Sequence, residues 1–313
     1  MKHTLKITIT LIAMFLATQL IGLYVVHSYT PVIEQQVING ELQNITINPL
    51  PYGMEPPEIK PVDALKSIIL AFVIAILLIV ALMKFKAEMF IRIWFFIVVI
   101  LAIGIAVNGI AISPLITIFN TLYTQYIAAA IALPLAIFKI FKRNIMVHNA
   151  TELLIYPGIA AVFVPILNIW TVFILLILIS IYDMWAVWHS GFMQKMAKYQ
   201  MNNLKIFTGF FVPYMGKKLR EKMKKIKMSK GKMKNMKVRV NVAILGGGDV
   251  VFPIITAGVL LRISGLIPAL MITIFATIAL LFLLVYSQKG KFYPAMPFIT
   301  AGCVVGLLVG FLF

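Results

Sequence analysis

The 313-residue sequence is poor in charge, in acids above all, and nearly devoid of cysteine. Charged residues make up 12% of it, and only ten are Asp or Glu; a soluble domain carries about 25% charge. With 62% apolar residues and a mean hydropathy of +1.00, the chain has more apolar surface than one soluble core can hide. A soluble globular protein is excluded, and the class expected is an integral, multi-pass membrane protein. Cys303, the single cysteine, lies in an apolar run, which leaves no disulfide framework and no cysteine metal site. His3, His27, His148 and His189 are scattered without ligand spacing. The net charge of +18 would suggest nucleic acid in a soluble protein. In a membrane protein, basic residues collect in cytoplasmic connections, so the expected surroundings are lipid and no nucleic acid.

What is present is a series of long apolar runs. A bilayer core needs about 20 apolar helical residues. Nine runs qualify: 7–26, 64–83, 90–107, 114–138, 150–167, 169–188, 240–261, 266–286 and 293–313. The first is too long for a signal peptide and lacks a small-residue cleavage site. The fifth and sixth are divided at Asn168, because one helix over both would be too long. The expected fold is all-α, with six spans in 1–189, a basic loop at 190–239, and three spans in 240–313. Lys and Arg alternate between connections: Lys2 and Lys6, then Lys84, Lys86 and Arg92, then Lys139, Lys142 and Arg143. Fifteen bases and the single acid Glu221 follow in 190–241, and Lys289 and Lys291 in the last connection. This alternation places the N-terminus in the cytoplasm and the C-terminus outside.

The outer segment 28–63 contains six prolines and reads as a mostly irregular ectoloop, with a glycosylation sequon at Asn44-Ile45-Thr46. The Met/Lys-rich segment 217–239 reads as a solvated loop held near anionic headgroups, or as a regulatory, calmodulin-like binding segment.

Ionisable residues within spans are costly and are therefore functional candidates. Three acids qualify. Glu152 is read as an interfacial acid at the start of the fifth span, where the helix dipole favours it. Asp183 lies about five residues from the cytoplasmic end of the sixth span. Asp249 lies about eight residues into the seventh, after Gly246, Gly247 and Gly248. At 1.5 Å per residue both carboxyls sit roughly 8–13 Å below the cytoplasmic surface. Adjacent spans at matched depth let them meet. The three glycines permit a close helix approach, or leave room for an extended peptide. Two carboxyls a few ångströms apart hold one proton near neutral pH, so one is a base for water and the other an acid for a carbonyl oxygen. No serine–histidine, cysteine–histidine or metal set competes.

Tyr182-Asp183 and Gly246-Gly247-Gly248-Asp249 resemble the Tyr-Asp and Gly-x-Gly-Asp motifs of the presenilin and signal peptide peptidase family. Pro294-Ala295-Met296-Pro297 is similar to that family's Pro-Ala-Leu motif, with Met in place of Leu. The resemblance implies an intramembrane aspartic endopeptidase with Asp183 and Asp249 as catalytic residues. It implies that Tyr182, Gly246–Gly248 and Pro294–Pro297 shape the site, and that no cofactor is used. The implied partners are transmembrane or signal-peptide substrates; accessory subunits or a homo-oligomer leave no mark in such a sequence. The charge pattern gives the presenilin-like orientation. Two other readings stand beside it. One is a proton-coupled transporter or channel with the aspartates as a proton relay; the other is a prepilin-peptidase-like protease.

Overall fold

The computed structural model describes residues 5–30, 32–38, 41–47, 61–85, 87–115, 121–142, 144–189, 199–200, 208–214, 241–288 and 293–312. Segment 217–239 lies outside these residues. Among the described residues, nine helices of full length make up the body: α1 (Leu5–Ser28), α2 (Pro61–Lys84), α3 (Glu88–Leu115), α4 (Thr121–Phe141), α5 (Ile145–Phe163), α6 (Ile169–Trp188), α7 (Gly247–Ser264), α8 (Leu266–Tyr286) and α9 (Met296–Gly310). The first eight are long and apolar enough to cross a membrane; α9, with 15 residues, is shorter. The expected all-α membrane architecture therefore holds, with changes at several element ends.

Among the described residues, two antiparallel strand pairs accompany the helices, which the sequence reading did not anticipate. In the segment expected to be irregular, β1 (Val32–Ile38) pairs with β2 (Glu41–Ile47), from Val32↔Ile47 to Ile38↔Glu41. Asn39-Gly40, between the strands, is a two-residue sequence that favours tight hairpins. β3 (Gly209–Tyr214), inside the basic connection, pairs with β4 (Asn241–Gly246). The seventh span thus does not begin as helix at 240. Asn241–Gly246 is extended, and the helix starts at Gly247 because Gly246 breaks it as an N-cap residue with φ −65° and ψ 147°. Gly209, at the start of β3, has φ 147°, which only glycine adopts without strain.

The centre of the bundle is α1, α5 and α7, which pack on one another, with α8 and α3 against α1. Small residues set the close approaches. A Cβ on Gly158 of α5 would run into the Ala102 carbonyl oxygen of α3. On α9, Gly302, Gly306 and Gly310 form one stripe against the backbone of α8 around Phe275, Ile272 and Pro268. The division at Asn168 is borne out. A short 3₁₀ turn (Val164–Ile166) ends α5, and Asn168 caps α6 in a reciprocal capping box with Thr171.

Candidate active site

Asp183 lies near the end of α6 and is buried, with 6% exposed. Asp249 occupies the third position of α7, not its middle, and is partly buried. α6 and α7 pack on each other, with Asp183 near the end of one and Asp249 at the start of the other. The Asp249 carboxyl turns back toward the N-cap residue Gly246. A Cβ on Gly246 would stand 3.1 Å from Asp249 Oδ2, so that this contact favours glycine.

Four residues on, Pro253 lies inside α7. Proline has no N–H, so the helical bond to the Asp249 carbonyl is absent and the first turn of α7 is loosened at the aspartate. Gln19 of α1, fully buried, donates to the Val250 carbonyl at 3.0 Å and ties this turn to the bundle centre.

The third motif approaches from α9. Ala295 is the N-cap residue, Met296 opens the helix, and Pro297 follows where a missing N–H costs nothing. The Met296 N–H, one of the amides a helix start leaves without an internal partner, donates to Asp183 Oδ2 at 3.1 Å. About one turn further along, Thr300 and Ser180 share a hydroxyl hydrogen bond of 2.8 Å between α9 and α6. Both aspartates therefore sit at the positive ends of helices. Pro294 is buried beside this turn, and Tyr182 faces a cavity next to Asp183.

That cavity has a volume of about 820 Å³ and nearly apolar walls. It is bounded by Ser67 and Leu77 of α2, Ile159 and Phe163 of α5, Tyr182, and Phe252 of α7. It reaches the aspartate end of α6 and α7 from the side of α2, the helix that packs least on the rest.

A family profile described as signal-peptide peptidase, presenilin aspartyl protease matches residues 44–313. The chain belongs to this family. Two crystal structures of a presenilin family intramembrane aspartate protease, in space groups C222 and P2, share the fold. The first has a TM-score of 0.61 at 18% identity, covering 97% of this chain and 98% of the other. The second has a TM-score of 0.57 at 20% identity, covering 97% and 96%. A comparison with curated proteins gives no match. As a presenilin and signal peptide peptidase family member, the protein is an integral membrane aspartyl protease that acts within the bilayer.

Sequence reasoning misplaced a group of residues beside this site. Glu152 is not an interfacial acid at a helix start. α5 begins at Ile145, capped by Asn144, and Glu152 lies two turns in and fully buried. Lys139, assigned to a connection, is in the last turn of α4 with its side chain 2% exposed, paired with Glu152. The spacing between them, across a short connection, resembles any pair of flanking charges, so the sequence carries no signal of their burial. Tyr156 of α5 is also buried; a Cβ on Gly247 would lie 2.9 Å from its ring and hydroxyl.

Proposed function

We propose that Asp183 and Asp249 are the acid–base pair of a peptide hydrolysis carried out on transmembrane helices. The observation that carries the reading is the packing of three separate segments, α6, α7 and α9, on one another, with Asp183 near the end of α6, Asp249 at the start of α7 and the start of α9 hydrogen-bonded to Asp183. With one proton between them, the ionised carboxyl takes a proton from water as its oxygen attacks the peptide carbonyl carbon. The protonated one gives its proton to the carbonyl oxygen, forming a gem-diol. On collapse the amide nitrogen is protonated, the C–N bond breaks, and the pair is left with one proton again. The Met296 N–H holds Asp183 in orientation throughout, and Pro294–Pro297 form the floor beside it.

A helical peptide bond is shielded by its own hydrogen bonds, so the substrate must be extended at the cut. The hairpin of β3 and β4 supports a place for it. The Phe211 N–H donates to Asn149 Oδ1 at 2.9 Å, its carbonyl accepts from Asn149 Nδ2 at 2.8 Å, and the Gly209 carbonyl faces His148 Nε2 at 2.8 Å. Residues 209 and 211 thus point their backbone groups away from β4, and Pro213, which has no N–H, shares that parity. By the register, the groups of Val242 and Ile244 point away from β3. They form an edge that no strand pairs among the described residues, and it runs directly into Gly246–Asp249. A substrate segment unwound beside β4 satisfies its amides there. The apolar cavity toward α2 receives its helical part.

Replacing either aspartate by asparagine tests the reading on a synthetic single-span peptide in detergent. Cleavage should fall by at least about 100-fold while the thermal transition stays near wild type. Near-normal proteolysis in either variant would remove the dyad assignment. The loop charges support a cytoplasmic N-terminus, and hence a substrate helix entering with its N-terminus outside.

A further inference from the structure

The open edge of β4 is of use only if it stands at a fixed height relative to the dyad, and the residues that fix it lie on the other side of the hairpin. Asn149 acts as a one-residue surrogate strand: its amide gives Phe211 the donor and the acceptor that a neighbouring strand would give. His148 adds the contact to the Gly209 carbonyl, and its ring lies over Phe211 with centroids 4.8 Å apart. On the inner face, Phe210 is fully buried and meets Tyr156 edge-on at 5.7 Å. Tyr156 in turn touches Gly247. One helix, α5, thus references both β3 and the first residue of α7.

The buried ion pair gives this anchor its direction. Lys139 Nζ lies 3.3 Å from His148 Nδ1, and an ammonium can only donate. Nδ1 must then be the acceptor, which puts the ring proton on Nε2, facing the Gly209 carbonyl. Glu152 holds the ammonium in place. Burying a lysine and a glutamate to join two helices gains little over an apolar pair. What the charged arrangement adds is a histidine fixed as a donor at one point.

We propose that Asn149, together with His148 as held by Lys139 and Glu152, is a positioning assembly that sets which peptide bond reaches the dyad. This rests on the reading of Asp183 and Asp249 as the catalytic pair and of β4 as the substrate edge. Slipping β3 by one residue would turn Phe210 out of the core and the hydrogen-bonding groups of Phe211 away from Asn149. The anchored register is therefore the only one in which both are satisfied. The assembly acts on the place of cleavage, not on the bond-making step.

The test uses the full-length protein and a synthetic single-span transmembrane peptide, with products weighed by mass spectrometry. Asn149→Ala and His148→Leu should spread cleavage over neighbouring bonds, giving products that differ by one or more residues. Turnover should fall by roughly 10–100-fold, as expected when reacting groups are misplaced by about an ångström. His148→Gln should restore the wild-type product, since its amide offers an oxygen to Lys139 and an N–H to Gly209. Amide hydrogen exchange of 209–214 should rise in Asn149→Ala and return toward wild type in His148→Gln relative to His148→Leu. A purely structural role would lower the thermal transition and total activity but leave the product masses unchanged, and that result overturns the proposal. So does unaltered exchange in β3. A wild-type protein that cut no peptide would instead overturn the dyad reading on which the proposal rests.

Discussion

At the scale of single residues, steric room distinguishes glycines that look alike in sequence. A Cβ on Gly247 would lie 2.9 Å from Tyr156, while a Cβ on Gly248 meets nothing closer than Phe252 at 3.7 Å. Gly247→Leu should displace Tyr156 and the start of α7, and peptide cleavage should be lost. Gly248→Ala should fold normally and raise the thermal transition slightly, alanine being better in a helix by about 0.5–1 kcal/mol. The buried ion pair gives a second contrast. Lys139→Met leaves the buried Glu152 without its ammonium partner, with His148 Nε2 at 3.5 Å beside it, which should destabilise the protein by about 3–5 kcal/mol. The double variant Lys139→Met, Glu152→Leu removes both charges and should recover most of the loss in thermal denaturation. If the double variant were no better than the single, the two side chains would not be acting as a pair.

At the scale of elements, the position of α9 decides whether Met296 reaches Asp183. Its glycine stripe lies on backbone, not on pliable side chains: a Cβ at Gly306 would sit 2.7 Å from the Ile272 Cα and 2.8 Å from the Met271 carbonyl oxygen. Gly306→Leu should therefore push α9 off α8 and lose both stability and cleavage. At the other end of α9, Ala295→Trp enlarges the turn that holds the Met296 amide. It should abolish cleavage and binding of a transition-state mimic, with the thermal transition nearly unchanged. Normal activity in that variant would reduce the proline-flanked turn to an ordinary helix start.

At the scale of the whole molecule, hydropathy carried the helices and little else. Eight long apolar runs and the shorter α9 are legible because each is a continuous local signal. The aspartates were legible because a carboxyl within a span is conspicuous, and the turn at Asn168 because of length alone. The hairpins were not. Asn241–Gly246 is apolar and adjoins α7, so its hydropathy merges with the helix, and its partner lies 27 or more residues away. Short apolar runs do not distinguish strand from helix. Lys139 and Glu152 escaped for the opposite reason: charges near a span end are common, and only three-dimensional packing shows that this pair faces inward. The alternation of basic connections makes one prediction for the molecule as it sits in a cell. A cysteine at Gln43, on β2, should react with an impermeant reagent from outside, and one at Lys230 should not; reversed labelling would turn the protein over in the membrane.

The unpaired edge of β4 also bears on where the attacking water comes from. Backbone amides left open in hydrocarbon cost several kcal/mol each unless something hydrates them. Val242 and Ile244, both about 40% exposed, lie on β4, which ends at Gly246, three residues before Asp249. An idle enzyme therefore has to keep that strand wet, and the wetting extends to the carboxyls that need a water molecule. Arrival of a substrate strand dries the edge but leaves water trapped at its end, beside the scissile bond. Hydrogen exchange should register the change: the Ile244 amide should exchange quickly in the resting protein and slowly with a peptidic transition-state mimic bound. The Ala243 and Leu245 amides, turned toward β3, should be slow in both.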